Sequence, residues 1–232
     1  MNNRQKEDKR MKDLKNPKDD HSAEISKLIN QAISSKHKVY VTTDWHLWKR
    51  ACKDKPECHK HKNFTETLKN VNAKMTENDI LINLGDLVDG EFKDKESLKS
   101  VLQCIPGKKI LVLGNNDLFD VRFYKSCGFD YVVQSFVWSN IIFTHMPIKN
   151  DYEMNIHGHI HGYRTYWVPY TNMIDVAALG GRTDLIELDK VIASQKSYAK
   201  TIKECPDKFE QESVSLFDEI MIPNRIYDPF DD

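Results

Sequence analysis

The chain has 232 residues, in which 34 Lys and Arg nearly balance 35 Asp and Glu, and 40% of residues are apolar. That length supports one substantial core or at most two small domains, and the ordinary composition is that of a soluble globular protein. No apolar run approaches the roughly eighteen residues of a membrane span, which excludes membrane-embedded functions.

Residues 1–20 mix charges of both signs without apolar periodicity, so they are expected to form a flexible arm. They also lack the apolar stretch of a secretory signal, and a cytoplasmic location is the default expectation. From Ser22, Ile25, Leu28, Ile29, Ala32 and Ile33 recur at helical spacing and predict a helix over 22–35, with Asp20 or Ser22 as its cap.

Short apolar runs then alternate with helical patterns. "KVYVTT" (38–43), "ILINL" (80–84) and "KILVL" (109–113) read as strands, with helices between them marked by Phe64, Leu68, Val71 and Met75 and by Leu98, Val101 and Leu102. Such alternation predicts βαβ units around central strands. "YVVQSFVW" and "IIFTH", separated by Ser139 and Asn140, read as a hairpin, and "YRTYWV" and "NMIDVAAL" as further strands of a second sheet. Beyond Gln195 the chain turns acidic, and residues 195–232 are expected to form a helix followed by an extended tail. Residues 21–194 are then the domain.

Five cysteines, odd in number and scattered, do not make a disulfide framework and read as free thiols. Cys52, Cys58, His59 and His61 match the spacing of no standard zinc finger, and their segment reads as a surface loop. With His21 and His37, His59 and His61 are expected to be surface histidines.

Each early strand ends in polar side chains suited to metal. "KVYVTT" leads to Asp44, Trp45 and His46, "ILINL" to Gly85, Asp86 and Asp89, and "KILVL" to Gly114, Asn115, Asn116 and Asp117. Ligands of open α/β sheets bind beyond the carboxyl ends of strands, so these clusters should converge. The octapeptide "NIHGHIHG" crowds His157, His159 and His161 between glycines; His145, closing "IIFTH", and the two histidines of "GHIH" join His46 to make four imidazoles beside the oxygens of Asp44, Asp86 and Asn115. Three oxygen-bearing side chains and four imidazoles suffice for two cations.

The order D-x-H, G-D-x-x-D, G-N, a lone His and G-H-x-H, from about Lys38 to Ala193, resembles the calcineurin-like metallophosphoesterases. The resemblance implies a four-layer α/β/β/α sandwich with two central mixed sheets flanked by helices. It implies that Asp44, His46 and His161 hold one divalent metal, that Asn115, His145 and His159 hold another, and that Asp86 bridges them. The ligand chemistry favours manganese, with iron or zinc as alternatives. The implied function is hydrolysis of phosphate esters, diesters above monoesters, by a hydroxide bridging the metals. Asp89 would orient a ligand rather than serve as one.

One position departs from the pattern. Many relatives carry a histidine after the ligand asparagine, and it is taken to protonate the leaving group; here Asn116 stands there, and an amide has no proton to give. Asn116 would then position a phosphoryl oxygen, His157 would act as the acid or support the site, or the substrate would need no acid. A weakly active binding scaffold is therefore the alternative function. A nuclease acting on single strands is a second, because Lys49, Arg50, Lys53, Lys55, Lys60 and Lys62 in the loop 49–62 make a basic rim suited to nucleic acid. Trp45 and Trp48 would stack on a base or cap the core, and the oligomeric state stays open.

Overall fold

The computed structural model describes residues 21–47, 64–88, 94–161, 172–180 and 184–204. The three runs expected as strands form β1 (Val39–Thr42), β2 (Ile80–Asn83) and β3 (Lys108–Val112), linked through α2 (Phe64–Lys74) and α3 (Lys95–Gln103). They pair in parallel, Val39 beside Ile80 and Ile80 beside Lys108, and β1 and β2 are buried along their whole length, as strands covered on both faces require. After α4 (Val121–Ser126), β4 (Tyr131–Val133) joins the far edge in parallel, and β9 (Ile186–Glu187) runs antiparallel on the other edge beside β1. The result is a five-stranded sheet in the order β4-β3-β2-β1-β9.

The run read as one strand over 131–138 is two. The chain leaves the first sheet at Gln134 and starts the second with β5 (Ser135–Trp138), which forms the expected hairpin with β6 (Ile141–Thr144). Ser139 (φ 47°) and Asn140 (φ 62°) turn it with both residues left-handed, the geometry that matches strand twist. Parallel partners β7 (Met154–His157) and β8 (Met173–Asp175) complete the order β5-β6-β7-β8. Over 172–179 the strand is short and passes into a 3-10 turn at Ala177–Leu179, while "YRTYWV" lies outside the described residues.

The two mixed sheets share one core. Val41, Ile82, Ile110 and Val112 from the first sheet and Phe136, Phe143, Met154 and Ile156 from the second are buried together, with the rings of Phe136 and Phe143 stacked 4.4 Å apart. Ile25 and Ile29 of α1 (Ser22–Ser34) and Val191 of α5 (Leu188–Glu204) belong to the same cluster. The opposite face of the first sheet, through Tyr40, Leu81 and Leu111, packs on Val71, Leu98, Leu102 and Tyr124 of α2, α3 and α4. The chain is thus an α/β sandwich of two mixed sheets flanked by helices. A boundary at 194/195 falls inside α5, which is continuous from Leu188.

The start of α1 differs from expectation. Its N-cap is His21, left-handed at φ 60° and without a side-chain cap. Ser22 is instead occupied by the edge of the second sheet: its Oγ accepts from Val137 N at 3.0 Å, while Ser26 Oγ donates to Val137 O at 3.1 Å. With Asn30 Oδ1 accepting from Trp138 Nε1 at 2.9 Å, one polar stripe of α1 satisfies the outward groups of β5. An edge strand is a hazard unless covered, and this demand outweighs the capping preference. Among the described residues, no helix is long and apolar enough to cross a membrane.

Candidate metal centre

The chain beyond β1 stays in step with the chain beyond β2. Asp44 N donates to Gly85 O at 2.9 Å, His46 N to Asp86 O at 2.9 Å and Leu47 N to Leu87 O at 2.8 Å, which carries the parallel pairing out of the sheet. The segment after β3 brings Asn115 and Asn116 alongside. From the second sheet, β6 ends at His145 and β7 delivers His157, Gly158 and His159, with Gly158 N donating to His145 O at 2.9 Å. Five strand ends from two sheets therefore meet, which is where open α/β sheets place ligands.

Two groups of ligand atoms result, Asp44 with His46 and His161, and Asp86 with His145 and His159, each group lying within 4.8 Å of itself. In the first, His46 Nε2 and His161 Nε2 stand 3.0 Å apart, and His161 Nε2 is 3.4 Å from Asp44 Oδ1. In the second, His145 Nε2 lies 3.4 Å from Asp86 Oδ1, 3.0 Å from Asn115 Oδ1 and 3.2 Å from His159 Nδ1. Asp86 also reaches the first group, with Oδ2 3.7 Å from His46 Nε2.

The donor chemistry fits cations. His145 Nδ1 donates to Leu84 O at 2.7 Å, which in the neutral ring leaves the lone pair of Nε2 facing the oxygens of Asp86 and Asn115. Atoms with only lone pairs crowd together around a proton or a metal, and fixing the distant ring nitrogen on a carbonyl is how ligand histidines are oriented. Thr43 Oγ1 donates to Asp44 Oδ2 at 2.8 Å and His159 N to the same oxygen at 3.0 Å, so Asp44 turns its Oδ1 toward the histidines.

Backbone strain is concentrated here. Asp44 (φ 50°), His46 (φ 42°), Asp86 (φ 53°), His159 (φ 73°) and His161 (φ 53°) are all left-handed, a conformation costing a non-glycine residue of order 1–3 kcal/mol and persisting only where surroundings impose it. Two glycines allow the close approach. Gly85, at φ 101°, packs on the backbone of Gly114 and Val112, and a Cβ on Gly158 would strike Thr43 Oγ1 and Asp44 Oδ2.

Burial raises the pKa of Asp44 and Asp86, but the surrounding histidines outweigh it. His161 by hydrogen bond and charge holds Asp44 well below the carboxylate range, and His145 does the same for Asp86. Conversely, His145 is lowered by burial and raised more by Asp86, to about 9. Burial, reinforced by the charge of His145, takes His159 down to about 4.

A family model described as calcineurin-like phosphoesterase matches residues 37–214. The chain belongs to that family. Family members are phosphoesterases that bind divalent metals, and the two ligand groups stand as its candidate sites. Among solved structures, the chain is similar to a protein of unknown function, AQ665, from Aquifex aeolicus, with a TM-score of 0.52 and 21% identity over 68% of this chain and 99% of that one. It is also similar to the Pseudomonas putida nuclease MPE, with a TM-score of 0.42 and 19% identity over 54% of this chain and 62% of that one. No curated protein matches the chain.

All seven expected ligand side chains of the calcineurin-like pattern thus converge. The two expected catalytic residues lie apart from each other in role. Asn116 N donates to Asp86 Oδ1 at 2.9 Å and Nδ2 to Asp86 Oδ2 at 2.8 Å, at the centre of the constellation. His157 is buried, its Nδ1 donates to Gly158 O at 2.9 Å, and burial takes its pKa down to about 4. Trp45 is buried in the helical-side core with Nε1 donating to Thr42 Oγ1 at 2.7 Å, which makes it a core residue rather than a stacking platform. Asp89, Trp48 and the basic loop 49–62 lie outside the described residues.

Asp117 is the residue whose part the sequence does not reveal. Its carboxylate accepts from Asp86 N at 2.9 Å, Gly114 N at 2.8 Å, Leu87 N at 3.0 Å and Tyr124 Oη at 3.3 Å. Three of these donors are main chain, so the identity of its partners cannot be read from the sequence. The available signal was its position two residues after Asn115 in a strand-end cluster.

Proposed function

We propose that the protein is a dinuclear metal-dependent phosphoesterase, acting on diesters above monoesters. Asp44, His46 and His161 would hold one ion, Asn115, His145 and His159 the other, and Asp86 would join them. The observation that carries this reading is the placing of Asp86: one carboxylate oxygen is 3.4 Å from His145 and the other 3.7 Å from His46. A carboxylate so shared offsets the mutual repulsion of two dications. Such a pair supplies an activated water nucleophile and neutralises the phosphoryl oxygens of an in-line displacement. Manganese suits the imidazole and oxygen donors, with iron or zinc as alternatives.

The protein's own groups orient this chemistry. Leu84 O fixes the ring of His145, Thr43 and the His159 amide fix Asp44, and Asn116 fixes both oxygens of Asp86. An Asn116 amide bound to Asp86 donates hydrogen bonds but releases no proton, so ester bonds with good leaving groups are favoured. Buried His157, with Nδ1 committed to Gly158, suits a supporting role for the His159 turn better than proton transfer.

Assay of bis(p-nitrophenyl) phosphate beside p-nitrophenyl phosphate with Mn²⁺ tests the reading. Metal-dependent turnover, faster on the diester and abolished in Asp86→Asn, is expected. Bound metal without turnover on either substrate would favour the alternative that Asn116 suggests, a binding scaffold that keeps the fold and the metals.

A further inference from the structure

We infer that Asn155 is a positioning residue that fastens the connection between β6 and β7 and thereby sets how tightly His145 can hold a metal ion. The inference rests on the metal reading above. Parallel strands usually need a crossover of about a dozen residues or more, commonly a helix. Here residues 145–153 alone join β6 to β7, and they contain no helix or strand. His145 is the first residue of that connection, so no regular element carries it beyond Thr144. Its ring donates to Leu84 O at 2.7 Å, and its carbonyl accepts from Gly158 N at 2.9 Å. The chain that follows it is held by the first residue of the histidine octapeptide, Asn155, which is fully buried in β7.

Every polar atom of that side chain is engaged around His145. Asn155 Oδ1 accepts from Ile148 N at 3.0 Å, while Nδ2 donates to Ile142 O at 3.3 Å and to Thr144 Oγ1 at 2.8 Å. Thr144 Oγ1 in turn donates to Met146 O at 2.6 Å, so toward Asn155 it can only accept. His145 is thus bracketed by residues tied to one amide. An amide is what the place demands: Ile148 N–H needs an acceptor, and Thr144 Oγ1 and Ile142 O need donors, a combination that neither a carboxylate nor a hydrocarbon offers. Farther along, Asn150 Oδ1 accepts from Tyr152 N at 2.9 Å and Asn172 Nδ2 donates to Tyr152 O at 3.0 Å, so side-chain amides supply bonds that a crossover helix would make for itself. Without Asn155, Thr144, Met146 and Ile148 lose their common anchor. The His145 ring would then shift relative to Asp86 and Asn115, whose oxygens lie 3.4 and 3.0 Å from its Nε2.

The experiment is calorimetric titration of Mn²⁺ into the metal-free full chain, paired with thermal unfolding. Asn155→Ala is compared with the double variant Ser22→Ala, Ser26→Ala, which also strips side-chain partners from main-chain groups, but on α1. Loss of outer groups that orient ligands typically costs roughly 10- to 100-fold in metal affinity, and that loss is expected for Asn155→Ala, whereas the α1 variant should lower Tm at wild-type affinity. A residue that merely stabilised the fold would lower Tm and leave the affinity of the folded protein unchanged. That outcome, or equal weakening in the α1 variant, overturns the inference and leaves the metal reading intact. Wild type that binds no Mn²⁺ overturns the metal reading and the inference with it. Should Asn155→Ala fail to fold, Thr144→Val breaks the link to Met146 at nearly constant shape and Thr144→Ser keeps it. Weakening of about tenfold or more in Thr144→Val, with Thr144→Ser within about threefold of wild type, supports the inference, and equal affinities in the two overturn it.

Discussion

Asn116 holds Asp86 by two bonds, main-chain N to Oδ1 at 2.9 Å and side-chain Nδ2 to Oδ2 at 2.8 Å. The residue standing where many relatives have a proton donor is thus occupied with orienting the carboxylate shared by both ligand groups. Asn116→His would exchange one function for the other. Losing a hydrogen bond to a charged group costs about 1.5–3 kcal/mol, whereas general acid catalysis contributes roughly 10²- to 10⁴-fold, about 3 to 5 kcal/mol, and only where the leaving group needs a proton. The variant should therefore gain on alkyl esters and be unchanged or slower on p-nitrophenyl esters. Comparing kcat/KM across leaving groups checks this, and equal effects on both classes would contradict it.

Gly158 is the point of closest approach between the second sheet and the Asp44 loop. Gly158→Ala would push a methyl group into Thr43 Oγ1 and Asp44 Oδ2. Overpacking of this kind costs about 1–3 kcal/mol, and the displaced group is a candidate ligand. A lower Tm together with weakened Mn²⁺ binding is expected. A Tm equal to wild type would show that the two sheets meet less tightly.

The polar stripe of α1 should matter for stability and not for chemistry. Ser22→Ala with Ser26→Ala leaves the N–H and C=O of Val137 without their side-chain partners, a loss of about 1–3 kcal/mol in total. Urea unfolding should register that loss with kcat unchanged. A changed kcat would mean that α1 is coupled to the site.

Asp79, before β2, accepts from Lys38 N at 2.7 Å and from Thr76 N and Oγ1 at 2.8 Å each. Burial raises its pKa, but these donors outweigh it and hold the carboxyl below its ordinary value. A depressed carboxylate contributes stability that is fully present above the unfolded pKa, about 3.9, and is lost as pH falls through the folded value. Wild type should exceed Asp79→Asn in stability at pH 7, and the gap should narrow below about pH 4. A gap independent of pH would contradict the assignment.

Much of this was legible because the signals are local and periodic. The strands β1, β2 and β3 are runs of apolar residues between helical patterns, and each ends in the residues that meet at the site. Gln134 was illegible because "YVVQSFVW" is apolar on both sides of the crossing, and the switch between sheets is decided by partners far away in the chain. Strand β9 is two residues long, too short for any period. Ser22 reads as a cap in sequence because a helix cap and an edge-strand partner draw on the same hydroxyl, and only the location of Val137 decides between them. Asp117 binds main-chain amides, which every sequence possesses.

The most direct test of the central claim is anomalous scattering from crystals grown with Mn²⁺. Two peaks roughly 3.5–4 Å apart, with Asp86 between them, Asp44, His46 and His161 around one and Asn115, His145 and His159 around the other, are predicted. A single peak, or ions held by other residues while Asp86 touches none, would contradict it.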